Sequence, residues 1–235
     1  MNTIYKVSII IPALNEEGAI GAVVAGLLRS GLIRDVWVVD NGSVDQTAAY
    51  ARAAGAQVAA EPRRGYGQAC LMGLSKLAPG CEVVAFIDGD GSDGPAEIVR
   101  VLEPILNDRA DFVVGSRAIG PRQPGSITPQ QVVGNAIAAR WLRWRFDQLA
   151  TDLGPFRAIR KDKLDALQMA DTNYGWTIEM QIKAARHKLR YEEVPVSYGC
   201  RVGESKVSGT VRGTLGAAYK ILGLLALYDF WKRAG

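Results

Sequence analysis

Two carboxylates separated by one glycine, Asp88 and Asp90, have the clearest chemical potential in this sequence. They follow residues 83–87, an apolar run rich in β-branched side chains, which predicts a buried parallel strand. Open α/β sheets bind ligands at the carboxyl ends of their strands. Carboxylates at alternate positions can share a divalent cation that holds a diphosphate, and Gly89 lets a ligand approach the backbone. A plain surface turn is the alternative interpretation.

Strands and helices alternate through the first half of the chain. Short apolar runs predict strands at residues 7–11, 36–39, 57–60 and 111–114. Helical spacing of apolar residues and helix-start signals predict helices at residues 15–29, 45–54, 66–77 and 95–106. This alternation predicts an α/β fold with a doubly wound, mostly parallel sheet that carries Asp88 and Asp90 at one edge.

The second half is less regular. Its pattern predicts a strand at residues 191–196 and helices at residues 130–149, 174–186 and 210–231. Residues 121–129 contain three prolines, which is typical of a mobile loop in a position where a lid could lie. Residues 140–146 and the last helix combine aromatic and basic side chains, which suits a membrane interface. An amphipathic helix packed on the core explains the same pattern equally well.

The composition indicates a globular protein of 235 residues with 48% hydrophobic and 22% charged residues. A net charge of +4 and a pI near 9.0 favour a phosphorylated ligand or an anionic membrane surface. No nucleic acid is expected as a partner, since no arginine-rich arm or nucleic-acid motif is present. Three cysteines without metal-ligand spacing predict reduced thiols in a cytosolic protein. Neither a signal peptide nor a transmembrane helix is expected.

Six motifs in this order resemble those of family 2 glycosyltransferases with the GT-A fold. They are PALNE at 12–16, DNGSVDQT at 40–47, DGD at 88–90, GSR at 115–117, DLGPFR at 152–157 and RVGESK at 201–206. The set is most similar to the polyprenyl-phosphate (dolichyl-phosphate) mannose and glucose synthase branch. The resemblance covers roughly residues 5–225 and implies a Rossmann-like, mostly parallel twisted sheet flanked by helices.

We therefore expect a single GT-A domain over residues 1–209, with a donor half at about 1–118 and an acceptor half at about 119–209. A C-terminal amphipathic helix is expected over residues 210–235. The resemblance assigns the nucleotide of the donor to residues that follow the first two strands. Other residues are expected to contact the metal or the donor phosphates. The full set expected to bind the donor is Pro12, Leu14, Glu16, Val38, Asp40, Gly65, Asp88, Gly89, Asp90, Ser92, Arg117, Arg201 and Lys206.

Two of these assignments have structural alternatives. Asp40 can accept hydrogen bonds from a base or ribose; many family members carry a second aspartate where this chain has Asn41, so the prediction depends on Asp40. Asn15 and Asp45 lie in the same two motifs. Rather than contacting the donor, each of them can be a helix cap. The two glycines that flank Tyr66 could let backbone N–H groups face a phosphate or base, and a plain loop is the alternative interpretation.

The expected cation is Mg²⁺ or Mn²⁺, since both prefer oxygen ligands, and its expected ligands are Asp88, Asp90 and Ser92. The polyprenyl branch often has glutamine as a third ligand, two residues after the second aspartate. This chain has Ser92 followed by Asp93 there, so the third ligand is Ser92, Asp93 or water. The residues expected to take part in catalysis are Asp88, Asp90, Arg117 and Asp152.

Cations are expected around the acceptor. The resemblance places Arg117 near the donor phosphates, and Arg157, Arg201 and Lys206 near the acceptor end. Asp152 is the best acceptor-side carboxylate, but orienting Arg157 or capping a turn explains it equally well. Glu179 could contact a sugar hydroxyl or form a structural salt bridge. The single histidine, His187, is expected at the surface.

The resemblance implies an inverting enzyme that moves a hexose from UDP-glucose or GDP-mannose to a polyprenyl phosphate. Such an acceptor is already anionic, so cations must place it and no base is required. The expected location is cytoplasmic, at the inner face of the membrane, through peripheral attachment or an integral membrane partner. The alternatives are a soluble or lipid hydroxyl acceptor and a non-catalytic sugar-nucleotide sensor. A sugar nucleotidyltransferase is disfavoured, since PALNE stands where its glycine-rich loop would be.

Overall fold

The computed structural model describes residues 6–203. Within this range the chain forms seven strands and seven α-helices, and a 3₁₀ turn, Pro95–Glu97, precedes α4. The strands are β1 (Val7–Ala13), β2 (Ile33–Asp40), β3 (Gln57–Ala60), β4 (Val83–Phe86), β5 (Phe112–Ser116), β6 (Arg157–Arg160) and β7 (Tyr191–Pro195). The helices are α1 (Ile20–Leu28), α2 (Thr47–Ala53), α3 (Tyr66–Ser75), α4 (Ile98–Leu106), α5 (Pro129–Phe146), α6 (Lys161–Leu167) and α7 (Trp176–Arg186).

All seven strands join one sheet in the order β3-β2-β1-β4-β6-β5-β7. β1 pairs in parallel with β2 and β4, and β5 pairs in parallel with β7. β6 is antiparallel to both of its neighbours, β4 and β5. Six strands therefore run in one direction and β6 in the other, which confirms the predicted mostly parallel α/β sheet. The carboxyl ends of β1, β2 and β4 meet at one edge, where α/β proteins bind ligands.

Helices cover both faces of the sheet, and the alternation of side chains along β1 shows how. Ile9 and Ile11 pack in one hydrophobic cluster with α1 and α4, whereas Ile10 packs in a second cluster with α3, α6 and α7. A third, smaller cluster joins α5 to α7. A strand that is buried on both faces needs apolar side chains at successive positions, which is why β1 and β4 are continuous apolar runs in the sequence.

The structure corrects several predicted boundaries. α1 begins at Ile20 rather than at residue 15, and β4 ends at Phe86, so that Asp88 and Asp90 lie in the turn beyond it. β6 and α6 were not predicted. Two arginines bound the four residues of β6, so this strand lacks the apolar run that marks the others.

No helix within residues 6–203 is long and apolar enough to cross a membrane. The predicted C-terminal helix over 210–235 and the predicted donor residue Lys206 lie outside the described residues.

Candidate active site

A cleft of about 360 Å³ opens at the edge of the sheet where β1, β2 and β4 end. Eight of the predicted donor residues line it: Pro12, Leu14, Glu16, Gly65, Asp88, Gly89, Asp90 and Arg201. Four others do not: Val38, Asp40, Ser92 and Arg117. The side chain of Val38 is fully buried in the core. The structure therefore brings eight of the predicted donor residues together at one cleft and places four outside its lining.

The turns that follow β1 and β2 are tied together beside the cleft. The backbone N–H of Asn15 donates to Ser43 Oγ at 2.9 Å, and Asn15 Oδ1 accepts from the N–H of Val44 at 2.9 Å. Asn15 has a φ of +52°, a conformation that asparagine tolerates better than most residues. Asn15 is therefore a link between two loops and not the cap of α1. Asp45 does accept a hydrogen bond from the N–H of Thr47, the first residue of α2.

Asn41, rather than Asp40, faces the cleft at the end of β2. Its Nδ2 donates to the carbonyl oxygens of Glu61 and Arg63, both at 2.8 Å, and its Oδ1 accepts from the N–H of Gly65 at 2.8 Å. Asp40 Oδ1 accepts instead from the N–H of Ser43. An aspartate at position 41 could not donate to the two carbonyls. The amide therefore fixes the loop that brings Gly65 into the cleft.

The carboxylate of Asp88 is held by one hydrogen bond, and that of Asp90 by two hydrogen bonds and an ion pair. The hydroxyl of Tyr66 donates to Asp88 Oδ1 at 3.1 Å. The N–H and hydroxyl of Ser92 donate to Asp90 Oδ1 at 2.9 and 2.6 Å, and Arg201 lies 3.3 Å from Asp90 Oδ2. Ser92 is thus placed to orient Asp90. Burial, followed by the charge of Asp90, raises the pKa of Asp88 to about 7.

The group around Asp88 fits a divalent cation. The side chain of Asp93 is buried, neither of its carboxylate oxygens has a hydrogen-bond partner among residues 6–203, and burial raises its pKa well above the ordinary value. Within residues 6–203, no three His, Cys, Asp or Glu side chains are close enough to hold a metal by themselves. Mg²⁺ commonly takes only one or two carboxylates and completes its shell with substrate phosphates and water. Asp88 and Asp90 match that type of site.

Arg117 and Asp152 are buried and paired with each other. Arg117 donates to the Asp152 carboxylate from Nε at 2.7 Å, from Nη2 at 2.8 Å and from its backbone N–H at 2.9 Å. Asn135 Nδ2 adds a fourth hydrogen bond at 2.7 Å. Burial raises the pKa of Asp152, but the charge and hydrogen bonds of Arg117 outweigh that effect and hold it below the ordinary value. Asp152 also lines a second cavity of about 170 Å³, together with Arg122.

Two predicted acceptor-side residues have structural contacts instead. Arg157 is fully buried and donates to the carbonyl oxygens of residues 153, 154 and 177. Its prediction as a cation that faces the acceptor was wrong, as was the idea that Asp152 orients it. The carboxylate of Glu179 accepts from the N–H groups of Ala170 and Asp171 and pairs with Lys183 at 2.7 Å. Glu179 thus supports the segment before α7, as the salt-bridge alternative predicts.

The sequence missed Asn173 and Tyr174, which complete the wall of the cleft. Tyr174 had been placed inside a helix, but α7 begins only at Trp176. The signal for a turn was Asp171, whose carboxylate accepts from the N–H groups of Asn173 and Gly175 at 2.7 and 3.0 Å. Such an aspartate turn is local and recognisable from sequence.

Comparison with known proteins agrees with this fold. Residues 8–168 match the family described as Glycosyl transferase family 2. An uncharacterized glycosyltransferase of Mycobacterium tuberculosis is 36% identical over 229 residues, which cover 96% of each chain. The undecaprenyl-phosphate mannosyltransferase of Micrococcus luteus is 30% identical over 221 residues, which cover 88% of this chain and 90% of the relative.

Among solved structures, the glucosyl-3-phosphoglycerate synthase of Mycobacterium tuberculosis, in complex with Mn²⁺, UDP-glucose and phosphoglyceric acid, superposes with a TM-score of 0.74. The two chains are 24% identical, and the match covers 94% of this chain and 80% of the synthase. That likeness establishes a shared fold. The sequence matches establish that this chain belongs to glycosyltransferase family 2 and is a hexosyltransferase.

Proposed function

We propose that this protein is a metal-dependent, inverting glycosyltransferase that moves a hexose from a nucleotide diphosphate sugar to a polyprenyl phosphate. The placement of Asp88 and Asp90 in the cleft beyond β4 carries the proposal. Mg²⁺ or Mn²⁺ held there would neutralise the charge that develops on the departing nucleoside diphosphate. UDP-glucose and GDP-mannose are the candidate donors.

The residues around the two aspartates suit a diphosphate ligand. Arg64 and Arg201 both line the cleft, so positive charge surrounds the position at which the leaving group would lie. The guanidinium of Arg201 pairs with the carboxylate of Asp90. A divalent cation that binds this carboxylate would replace Arg201, which would then be available to bind the diphosphate. Arginine is well suited to that task because it binds phosphate oxygens through two N–H groups.

A phosphate acceptor agrees with the state of Asp152. A hydroxyl acceptor requires a base with a pKa near the working pH. Asp152 accepts four hydrogen bonds and has a lowered pKa, so it is poorly suited to accept a proton. An anionic phosphate oxygen needs no deprotonation. The Micrococcus relative, whose name specifies undecaprenyl phosphate as its acceptor, supports the same choice.

The exposed face of α5 supports peripheral attachment to a membrane. Val133, Ile137, Arg140 and Trp144 recur at helical spacing and are exposed, Trp144 by 74%. Tryptophan and arginine on an apolar helix face are typical of the membrane interface. We expect the protein to sediment with vesicles that contain phosphatidylglycerol and a Val133→Ser/Trp144→Ser variant to stay in solution. Equal sedimentation of the two proteins would refute this role of α5.

A nucleotide-release assay tests the proposed reaction. UDP-glucose, UDP-GlcNAc and GDP-mannose are each supplied with Mg²⁺ or Mn²⁺, with and without a short-chain polyprenyl phosphate. Lipid-dependent release from one donor, lost in Asp90→Asn but kept in the surface variant Asp165→Asn, would support the proposal and identify the donor. Nucleotide release at the same rate with and without polyprenyl phosphate would favour a hydroxyl acceptor. Donor binding without turnover would indicate a sugar-nucleotide sensor.

A further inference from the structure

Tyr66 is fixed in place at the first turn of α3 by backbone packing. The preceding Gly65 has a φ of +148°, and a Cβ there would lie 2.2 Å from the carbonyl oxygen of Thr172. A Cβ on Gly67 would lie 2.0 Å from the carbonyl oxygen of Asp171. The N–H of Gln68 donates to the Thr172 carbonyl at 2.9 Å. These contacts leave the start of α3 little freedom to move relative to the cleft that Tyr66 lines.

From this position the hydroxyl of Tyr66 donates to Asp88 Oδ1. Within residues 6–203, no other donor reaches the side chain of Asp88. Asp90 is held in the corresponding way, because Ser92 also donates to its Oδ1. The second oxygen of Asp88, Oδ2, accepts no hydrogen bond from residues 6–203 and is left for a ligand, whereas Asp90 Oδ2 pairs with Arg201 at 3.3 Å.

We propose that Tyr66 is a positioning residue that orients Asp88 toward the divalent cation of the donor site. The proposal rests on the proposed function, since it assumes a cation that Asp88 and Asp90 share. A carboxylate that rotates freely must be ordered when it binds a metal, whereas one held by a hydrogen bond is ordered in advance. Loss of such an outer partner commonly weakens metal affinity by about 10–100-fold.

Calorimetric titration of Mn²⁺ into the protein with excess UDP, and separately with GDP, tests this role without turnover. We expect Tyr66→Phe, which keeps the ring and removes only the hydroxyl, to bind Mn²⁺ about 10–100-fold more weakly. Tyr191→Phe is the matched control. Its half-buried hydroxyl also donates to a carboxylate, Glu193 Oε1 at 2.6 Å, but Tyr191 does not line the cleft. The control should bind Mn²⁺ with wild-type affinity.

A double-variant comparison separates positioning from general damage. If Tyr66 acts through Asp88, then Tyr66→Phe/Asp88→Asn should bind Mn²⁺ no more weakly than Asp88→Asn alone. Additive losses, or a folded Tyr66→Phe protein with wild-type Mn²⁺ affinity, would overturn the inference. A wild-type protein that binds neither nucleotide in an Mn²⁺-dependent manner would instead refute the proposed function, so the two failures are distinguishable.

Discussion

Asp152→Asn is the substitution that best separates a structural role of this buried carboxylate from a catalytic one. Each oxygen of Asp152 accepts two hydrogen bonds: Oδ1 from Arg117 Nη2 and Asn135, and Oδ2 from the backbone N–H and Nε of Arg117. An asparagine must replace one oxygen by an NH₂ group. That NH₂ group faces two donors in either orientation, and the guanidinium loses its counter-charge.

The expected cost follows from the burial of both partners. The Asp152 side chain is 1% exposed and that of Arg117 is 10% exposed. Removing one member of a buried ion pair costs about 3–5 kcal/mol. For a chain of this size, each kcal/mol lowers the unfolding midpoint by about 2–4 °C. We therefore expect the midpoint of Asp152→Asn to fall by roughly 6–20 °C.

Thermal unfolding followed by circular dichroism, together with urea denaturation, measures this loss. The exposed pair of Lys161 and Asp165 provides a matched control. Asp165→Asn removes a charge in the same way, but its cost should be below about 1 kcal/mol, since solvent screens an exposed pair. If Asp152→Asn lost activity yet kept its stability to within about 1 kcal/mol, the ion-pair argument would be refuted. Asp152 would then have to act on a substrate.

Three further substitutions test other parts of the structure. Asn41→Asp keeps the shape of the side chain but leaves two carbonyls without donors, so urea denaturation should show a loss of roughly 2–4 kcal/mol, with weaker UDP or GDP binding. Gly67→Ala places a methyl group against the backbone at Asp171, and calorimetry should show weakened nucleotide binding. Asp111→Asn should destabilise the protein at neutral pH, because hydrogen bonds from Arg190 hold the pKa of Asp111 below its ordinary value of 3.8. That difference should persist above about pH 4 and vanish as the pH falls through the lowered pKa.

Each of these predictions has an outcome that contradicts it. An Asn41→Asp protein as stable as wild type would show that the amide does not fix the loop after β3. Gly134→Ala is the control for Gly67→Ala, because no other described residue has an atom within 4 Å of a Cβ at Gly134. Equal nucleotide affinity of the two variants would exclude a steric cause. For Asp111, the argument fails if the difference in unfolding free energy stays constant from pH 7 to pH 3.

Features that depend on residues close together in the sequence were predictable. The apolar run before Asp88 indicates a strand buried on both faces, and the pairing of β4 with β1 places the aspartates at the ligand-binding edge of the sheet. The order of strands and helices up to β5 follows for the same reason, because each element carries its own periodicity.

Features that depend on contacts between residues far apart in the sequence were not predictable. Arg157 resembles a surface cation in sequence, and only three backbone carbonyls from two separate segments make its burial possible. The sequence also favoured Asp40 over Asn41 for the donor site. Which side chain faces the cleft depends on the loop that follows β3 and crosses the end of β2, and no pattern within residues 40–47 specifies that crossing.

The position of β6 in the sheet has consequences for folding of the chain during translation and for protein engineering. β6 lies between β4 and β5 in the sheet but follows both in the chain, so β4 keeps an unpaired edge while the ribosome is still adding residues 117–156. Exposed strand edges promote association between chains. A fragment that ends near residue 118 should therefore aggregate. A chimera that exchanges the acceptor half between relatives must also graft a central strand, whose Ala158 and Ile159 pack in opposite core clusters.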